Sequence, residues 1–275
     1  PMSNLVIGGF KALEDITASY DNLKNKWQDR VIPDEVVAVD AAKRSISLAR
    51  GGSMTYDRLV LSPGVDFMFD QIPGLNDAAA QSRILHAWKA GPQTVALRKQ
   101  LEDMKDGGIF AISIPKAPFR CPPAPYERAC LVASYFKQHK PKSKVIILDA
   151  NEEVASKKDL FTKAWADLYS GIVEYRNENE VKDVEPGSNT AITEFDKLKA
   201  DVLNVIPPQR AGDIATKSGL RLINNRWVDV NWLTMESTNT PNVHVLGDAI
   251  FPAPVMPKPG DSRGSSRQPP LTRVL

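Results

Sequence analysis

The sequence contains few of the residues that hold metal ions or covalent cross-links. Its 275 residues include two cysteines, Cys121 and Cys130, and three histidines. Two cysteines are too few for a disulfide scaffold. A cysteine spacing of nine positions, with histidines scattered along the chain, also fits no zinc pattern. These counts exclude a disulfide-rich module and predict no metal site.

The chain also lacks an excess of charge and any long apolar run. The 35 basic and 33 acidic residues give a net charge of +2, which argues against a nucleic-acid-binding surface as its main purpose. No apolar run approaches the roughly 20 residues that a transmembrane helix requires. The length and a hydrophobic content of 42% are instead typical of a globular protein of about two domains.

Apolar runs alternate with amphipathic segments, which predicts an α/β fold. Strands at 109–114 and 144–149 flank a predicted helix at 126–139, so this region forms a βαβ unit in a parallel sheet. Three short strands before it are predicted to form a meander. Further elements are helices at 86–106 and 156–172, a strand at 202–206, a strand from residue 243 that ends in Gly247-Asp248, and the meander strands at 36–39, 45–48 and 59–61.

The segment FRCPPAPYER, residues 119–128, lies between the strand and the helix of the βαβ unit. In dinucleotide-binding folds this turn normally holds a glycine-rich loop that cradles a pyrophosphate. Proline has no N–H to offer a phosphate, and its ring blocks close approach of the backbone. The turn therefore predicts thiol chemistry at Cys121. The helix N-terminus, Arg120 and Arg128 would favour a thiolate, and a buried structural cysteine is the alternative.

Several motifs in combination resemble one known family, the flavoprotein subunit of flavocytochrome c sulfide dehydrogenase. This family lies within the FAD/NAD(P)-binding superfamily of pyridine nucleotide-disulfide oxidoreductase-like proteins. The resemblance runs from about residue 2 to residue 258. The motifs that carry it are SNLVIGG at 3–9, YDRLVLSPG at 56–64, HAWKAG at 86–91, FRCPPAPYER at 119–128, IPPQRAG at 206–212, VHVLGDA at 243–249 and MPK at 256–258.

The resemblance implies an α/β fold with two Rossmann-like domains, the first of which is discontinuous and carries an inserted three-stranded meander. It assigns residues 1–74 and 212–256 to an FAD-binding domain, and residues 75–211 to a second Rossmann-like domain with the redox cysteine. Residues 257–275 are rich in Pro, Gly, Ser and Arg and are predicted to be disordered. The first glycine-rich FAD loop and a second redox cysteine are expected outside this chain, which we therefore interpret as truncated at both ends and inactive by itself.

The resemblance also implies an activity. An FAD-dependent subunit in the periplasm would oxidise sulfide through a cysteine persulfide and a flavin adduct, and pass the electrons to a c-type cytochrome. Cys121 would be the redox cysteine and Glu127 the base that takes a proton from sulfide or the thiol. For Glu127 the alternative is a carboxylate favoured by the helix dipole. Cys130 is better interpreted as a small buried hydrophobe.

The resemblance further implies which residues bind the cofactor. The Asp248 carboxylate would accept hydrogen bonds from the ribityl hydroxyls of FAD, and Gly247 would allow close approach. An ordinary turn or solvated surface is the alternative for most of these positions. The candidate cofactor-binding residues are Ser62, Gly64, Trp88, Lys89, Gly247, Asp248 and Lys258.

Three other functions stay open from the sequence. A sulfide:quinone oxidoreductase shares much of the fold and would need an amphipathic region for membrane contact. An NADH-dependent disulfide reductase is disfavoured by the missing second glycine-rich loop. A non-catalytic flavoprotein or interaction module would keep the scaffold alone, and the presence of both Cys121 and Glu127 argues against it.

Overall fold

The computed structural model describes residues 2–251 and the backbone of residues 273–274. Lys258 and nearly all of the predicted tail at 257–275 lie outside these residues. The chain forms two compact units, each built from two stretches of sequence. We call residues 1–17 with 68–208 the central unit, and residues 18–67 with 209–275 the flanking unit.

The α-helices are short, apart from three in the central unit. Within the described residues they are α1 (Met2–Ile7), α2 (Asp21–Asn25), α3 (Ala78–Arg83), α4 (Pro92–Asp103), α5 (Ala124–His139), α6 (Lys158–Leu168) and α7 (Asp213–Lys217).

The strands form several small sheets. They are β1 (Val36–Asp40), β2 (Ser45–Leu48), β3 (Ser53–Thr55), β4 (Leu59–Leu61), β5 (Val65–Phe67), β6 (Ile109–Ile114), β7 (Lys144–Asp149), β8 (Val173–Arg176), β9 (Asp183–Glu185), β10 (Thr190–Ile192), β11 (Lys197–Lys199), β12 (Val202–Val205), β13 (Gln209–Ala211), β14 (Leu222–Ile223), β15 (Trp227–Val228), β16 (Val243–Val245) and β17 (Arg273–Val274).

The central unit is built on a parallel sheet of strand order β12-β6-β7-β8. β6 and β7 are joined by α5, so the predicted βαβ unit is present, and both strands match their predicted bounds. β9, β10 and β11 form an antiparallel meander between β8 and β12. Its side chains Val184 and Ala191 pack with Ala111, Ile146 and Leu203 of the sheet in one buried core.

α5 covers this sheet because its apolar residues recur at helical spacing. Tyr126, Ala129, Val132, Ala133 and Phe136 are all buried, which is the i, i+3, i+4, i+7 pattern of a helix that packs on one face. Pro141 lies just past the helix and cannot continue it.

The predicted helix at 86–106 is shorter than expected. α4 begins at Pro92, because proline is well suited to the first turn of a helix and unsuited to its interior. Residues 86–91 instead form an irregular segment in which Ala87 has φ 45° and Gly91 has φ 151°. This irregular segment carries several of the predicted site residues.

The flanking unit contains the predicted meander, with one strand corrected. β1, β2 and β3 pair in antiparallel order, so β3 is its third strand. The sequence pattern predicts residues 59–61 as the third meander strand, but β4 pairs in parallel with β16. Leu59 and Leu61 are fully buried, as is usual for a strand of a parallel sheet. The predicted α/β class is confirmed.

The compact units divide the chain differently from the predicted domains at the N-terminus. The resemblance predicts residues 1–74 in the FAD-binding domain, whereas residues 1–17 belong to the central unit. The reason is that α1, in which Val6 and Ile7 are buried, contacts α4 and α5. The compact units also change after residues 67 and 208, whereas the predicted domain boundaries follow residues 74 and 211.

Candidate functional site

The predicted site residues lie in both units. Cys121, Glu127, Trp88 and Lys89 belong to the central unit, and Ser62, Gly64, Gly247 and Asp248 to the flanking unit.

Cys121 lies in the turn between β6 and α5, and is half-buried. Its φ of 55° lies in the left-handed region, which is uncommon for a residue with a side chain. The Ala124 N–H donates to the Cys121 carbonyl oxygen at 2.9 Å, which closes the turn before the helix begins. This backbone conformation therefore fixes the direction in which the Cys121 side chain projects from the turn.

The prolines remove nearly all N–H donors from this turn. Among residues 122–125 only Ala124 has an N–H, and it is already used by the Cys121 carbonyl. A pyrophosphate needs several such donors at a helix N-terminus. The geometry thus agrees with the prediction that the turn does not bind a second nucleotide. It also corrects one detail, because residues 122–125 leave no unused backbone N–H to donate to a Cys121 thiolate.

Glu127 lies on the first turn of α5 with its side chain exposed. Its Oε2 accepts a hydrogen bond of 2.8 Å from Nδ2 of Asn4. The same Nδ2 donates to the carbonyl oxygen of Ala124 at 3.0 Å. Asn4, on α1, is fully buried. One buried amide therefore holds both the start of α5 and the carboxylate of Glu127.

Arg128, the next residue, is fully buried. Its Nε donates to Oδ1 of Asn4 at 3.0 Å, and its Nη1 donates to Oδ1 of Asn204 at 2.8 Å. Nη1 and Nη2 also donate to the carbonyl oxygens of His86 and Ala87, at 2.9 and 2.7 Å. Burial lowers the pKa of Arg128 to about 9. The sequence predicts Arg128 as a charge beside Cys121, but its hydrogen bonds join α1, β12 and the 86–91 segment.

The 86–91 segment packs on this arginine. Trp88 is buried, and the guanidinium carbon of Arg128 lies 5.0 Å from the centroid of its ring. Burial and the nearby charges of Arg128 and Lys89 lower the pKa of His86 to about 3. His86 is therefore neutral near pH 7, and its Nδ1 accepts a 2.9 Å bond from the Trp88 N–H. Lys89 is exposed.

Asp149 is a residue that our sequence analysis missed. It ends β7, the position at which a dinucleotide-binding βαβ unit carries the acid that binds a ribose. Here its carboxylate is fully buried. Oδ2 accepts from the hydroxyls of Tyr126 and Tyr175, at 2.6 and 3.0 Å, and Oδ1 accepts from the N–H and Nδ2 of Asn151, at 3.0 and 2.7 Å.

Both carboxylate oxygens of Asp149 therefore already accept hydrogen bonds from protein donors. Burial raises the pKa of this carboxyl, and the hydrogen bonds from Tyr126 and Asn151 oppose that rise. A ribose could reach the carboxylate only by displacing two tyrosines and an asparagine. Together with the prolines of the Cys121 turn, this arrangement removes both features by which the βαβ unit would bind a nicotinamide dinucleotide.

In the flanking unit, the predicted residues gather at one edge of a sheet. Ser62 and Gly64 follow β4, and Gly247 and Asp248 follow β16, its parallel neighbour. The N–H of Leu246 donates to the carbonyl oxygen of Leu61 at 2.9 Å, so the pairing continues to the point where both chains turn. Ligands of α/β proteins bind at the carboxyl ends of parallel strands.

This edge has the backbone that close approach of a cofactor requires. Gly64 has φ 66° and Gly247 has φ 79°, values that favour glycine. Among the described residues, nothing lies within 4 Å of the position that a Cβ of Gly64 would take. Asp248 is buried, with 6% of its surface exposed. These residues fit the ribose and phosphate parts of a flavin dinucleotide, whereas Lys258 lies outside the described residues.

Comparison with known proteins finds a family model that matches part of the central unit. Residues 94–207 match the family model described as the central part of the sulfide dehydrogenase [flavocytochrome c] flavoprotein chain. The match includes the Cys121 turn, Glu127 and Asp149. It confirms, for this segment, the resemblance inferred from the sequence motifs.

Curated relatives are similar over most of this chain. The mitochondrial sulfide:quinone oxidoreductase of Mus musculus is 25% identical over 232 residues, which are 79% of this chain and 50% of the relative. That of Dictyostelium discoideum is 24% identical over 260 residues, 90% of this chain and 56% of the relative. The chain thus spans about half the length of the curated relatives it matches.

Solved structures share the fold. The sulfide:quinone oxidoreductase of Aquifex aeolicus superposes with a TM-score of 0.75 at 17% identity, over 91% of this chain and 59% of that chain. A putidaredoxin reductase in its covalent complex with putidaredoxin gives a TM-score of 0.68 at 17% identity, over 91% of this chain and 58% of that chain. Within residues 2–251, no helix has the length and apolar character needed to cross a membrane.

Proposed function

We propose, from the match of the central unit to flavocytochrome c sulfide dehydrogenase flavoproteins, that the protein oxidises sulfide with FAD and passes the electrons to a c-type cytochrome. The observation that carries this proposal is the Cys121 turn. A half-buried cysteine, with three prolines in the next four positions, stands where a dinucleotide-binding domain has its phosphate loop. The same βαβ unit buries Asp149, its ribose-type acid.

Bound FAD would supply the capacity to accept two electrons and release them singly. In the flanking unit, four residues at the carboxyl ends of β4 and β16 would bind FAD: Ser62, Gly64, Gly247 and Asp248. Among the described residues, none lies within 4 Å of the position that a Cβ of Gly64 would take. Trp88 and Lys89 of the central unit, and Lys258, stay predictions as cofactor contacts.

The proposed chemistry of Cys121 starts from its disulfide with a second cysteine. Hydrosulfide attacks the sulfur of that second cysteine, the old S–S bond breaks, and a new S–S bond leaves a persulfide. Cys121 departs as a thiolate, which carries the two electrons that sulfide lost. Cys130 is poorly placed as the partner, because the helical rise puts it about 9 Å along α5 from Ala124. We therefore take the second cysteine from outside these 275 residues.

Glu127 would take the proton of the attacking hydrosulfide or of the persulfide. A carboxylate can do this only in its ionised state, in which it accepts hydrogen bonds and donates none. The hydrogen bond that Asn4 donates to Oε2 orients this carboxylate at the start of α5. The exposure of Glu127 lets the proton pass on to solvent.

A sulfide:quinone oxidoreductase is the second candidate, and the similarity to mitochondrial enzymes of that name favours it. The two functions share the sulfide step and differ in the electron acceptor. The NADH-dependent disulfide reductase is disfavoured by the prolines of the Cys121 turn and the buried Asp149. A periplasmic location is proposed together with the cytochrome acceptor.

The acceptor can be tested directly. The protein produced from the intact gene is reduced with sulfide without oxygen, and then mixed with oxidised cytochrome c or with a water-soluble quinone. We expect cytochrome c to restore the flavin absorbance at least about tenfold faster, which corresponds to roughly 1.4 kcal/mol in the barrier. Reoxidation by the quinone alone would overturn the cytochrome assignment and support the quinone enzyme.

A further inference from the structure

The Cys121 turn spans residues 115–123, between the end of β6 and the start of α5. Four of its nine residues are prolines, at positions 115, 118, 122 and 123. Proline donates no backbone hydrogen bond, so the turn has few donors with which to form a regular structure of its own. Groups that lie outside the turn are therefore needed to fix the course of this backbone.

Asn151 binds the first part of the turn. Its Nδ2 donates to the carbonyl oxygen of Pro115 at 3.1 Å, and its Oδ1 accepts from the N–H of Ala117 at 2.9 Å. The amide uses both its NH2 group and its oxygen on the backbone of the turn, which fixes the orientation of the amide. The two bonds hold the chain four to six positions before Cys121.

The carboxylate of Asp149 holds this amide in place. Its Oδ1 accepts from Nδ2 and from the backbone N–H of Asn151, at 2.7 and 3.0 Å. Asp149 is fully buried at the end of β7, and the N–H of Ala150 donates to the carbonyl oxygen of Ile114 on β6 at 3.0 Å. The carboxylate thus stands on a strand end that is itself fixed in the sheet.

The other oxygen of Asp149 binds the helix that follows the turn. Oδ2 accepts from the hydroxyl of Tyr126 at 2.6 Å, and this hydroxyl accepts from the N–H of Ala155 at 2.9 Å. A hydroxyl has one proton, so with Ala155 as a donor the proton of Tyr126 points to Asp149. Tyr126 is fully buried on the first turn of α5, five positions after Cys121.

We propose that Asp149 is a positioning residue for Cys121. Its two oxygens bind Asn151 and Tyr126, which hold the chain before and after the thiol, so one buried carboxylate sets the place of the Cys121 side chain. The inference rests on the proposed function, which gives Cys121 its task in sulfide oxidation. The acid that binds a ribose in a dinucleotide-binding domain has a different task here, which is to hold the cysteine turn.

Two tyrosines provide a matched pair of variants. The hydroxyls of Tyr126 and Tyr175 both donate to Oδ2 of Asp149, at 2.6 and 3.0 Å. Tyr175 lies on β8, whereas Tyr126 lies beside the Cys121 turn. Tyr126→Phe and Tyr175→Phe therefore each remove one hydroxyl from the same carboxylate oxygen, and only Tyr126→Phe releases the chain next to Cys121.

Asn151→Ala is a second variant that releases the turn from its other side. It leaves the N–H of Ala155 with its acceptor, which Tyr126→Phe does not. Asp149 itself is not replaced, because the loss of a buried group that accepts four hydrogen bonds endangers the fold.

The place of the thiol is measured by its rate of alkylation. The protein produced from the intact gene is reduced with dithiothreitol, separated from it without oxygen, and labelled with iodoacetamide for increasing times. Trypsin cleaves after Arg120 and Arg128, so mass spectrometry distinguishes Cys121 from Cys130. We expect Cys121 to react about fivefold faster or more in Tyr126→Phe and in Asn151→Ala, since each loses a hydrogen bond that opposes local opening of the turn.

Tyr175→Phe and the thiol of Cys130 are the controls. The Cys121 rate in Tyr175→Phe, and the Cys130 rate in every variant, should stay within about twofold of wild type. A general loosening of the protein would instead accelerate both thiols. Wild-type rates at Cys121 in whichever of the two releasing variants folds, or an equal acceleration in Tyr175→Phe, would overturn the proposal.

Alkylation does not depend on sulfide turnover. A wild-type protein that fails to oxidise sulfide would refute the proposed function, whereas the alkylation rates would still decide the role of Asp149. In the active protein, Tyr126→Phe and Asn151→Ala should lower the limiting rate of flavin reduction about tenfold or more. The sulfide concentration that gives half of this rate should stay within about threefold, because a misplaced reacting group slows the reaction step rather than binding.

The two measurements are read together. Faster alkylation of Cys121 with a lower limiting rate would support Asp149 as a positioning residue for the reaction. Faster alkylation with an unchanged limiting rate would show that the place set by Asp149 does not serve sulfide oxidation, and would overturn that part of the proposal.

Discussion

Replacement of Cys121 by serine should slow the reduction of bound flavin by sulfide about 10³-fold or more, because it removes the sulfur atom that departs as a thiolate with the two electrons. A serine hydroxyl forms no disulfide with a second cysteine and leaves no persulfide. Its proton is also far harder to remove than that of a thiol. The measurement is the rate of loss of the flavin absorbance after rapid anaerobic mixing of the holoprotein with sulfide.

Cys130→Ser is the matched control for this experiment. Cys130 is half-buried on α5, and burial raises the pKa of its thiol, so little thiolate is available there near pH 7. We expect its reduction rate to stay within about threefold of wild type, as for substitutions away from the reacting atoms. Loss of activity in Cys130→Ser with retention in Cys121→Ser would contradict the assignment.

Arg128→Met should lower the free energy of unfolding by about 3–5 kcal/mol, which is the typical cost of removing one partner from a buried polar network. Methionine fills part of the same space but donates no hydrogen bond. The amide oxygens of Asn4 and Asn204 and the carbonyl oxygen of Ala87 would lose their Arg128 donors in a buried region. The measurement is the urea unfolding curve of each protein at neutral pH.

Lys163→Met is the control, since it removes an exposed cation. Lys163 pairs with Asp167 one turn along α6, and 76% of its side chain is exposed. Exposed pairs contribute little, so we expect a change below about 0.5 kcal/mol. A loss of less than about 1 kcal/mol in Arg128→Met would show that this buried arginine is not central to the fold, against the typical cost of such groups.

The sequence predicted the central sheet well because its signals are local. β6 and β7 are largely apolar runs. β6 lies between Gly108 and Pro115, β7 begins at Lys144 and ends at Asp149, and α5 has helical spacing between them. The flanking unit was harder. β4 has three residues, and its partner β16 lies far along the chain, so no local pattern could distinguish it from a meander strand.

The candidate site also contains residues that a local sequence signal could identify and residues that it could not. Cys121 and Glu127 could be found because an unusual proline-rich motif surrounds them. Asn4 and Asn204 could not, since their role depends on contacts to Arg128 across more than 70 residues of sequence. The acceptors from His86 and Ala87 are backbone oxygens, which any residue would supply. Asp149 did carry a signal, as an acid that ends the second strand of a βαβ unit.

The most direct test is an anaerobic titration of the flavin in the protein produced from the intact gene. Sulfide is added in one cuvette and NADH in another, and the flavin absorbance is followed. The proline-rich turn and the committed carboxylate of Asp149 predict that sulfide bleaches the flavin and NADH does not. Bleaching by NADH, or none by sulfide, would contradict the assignment of the Cys121 turn to sulfide chemistry.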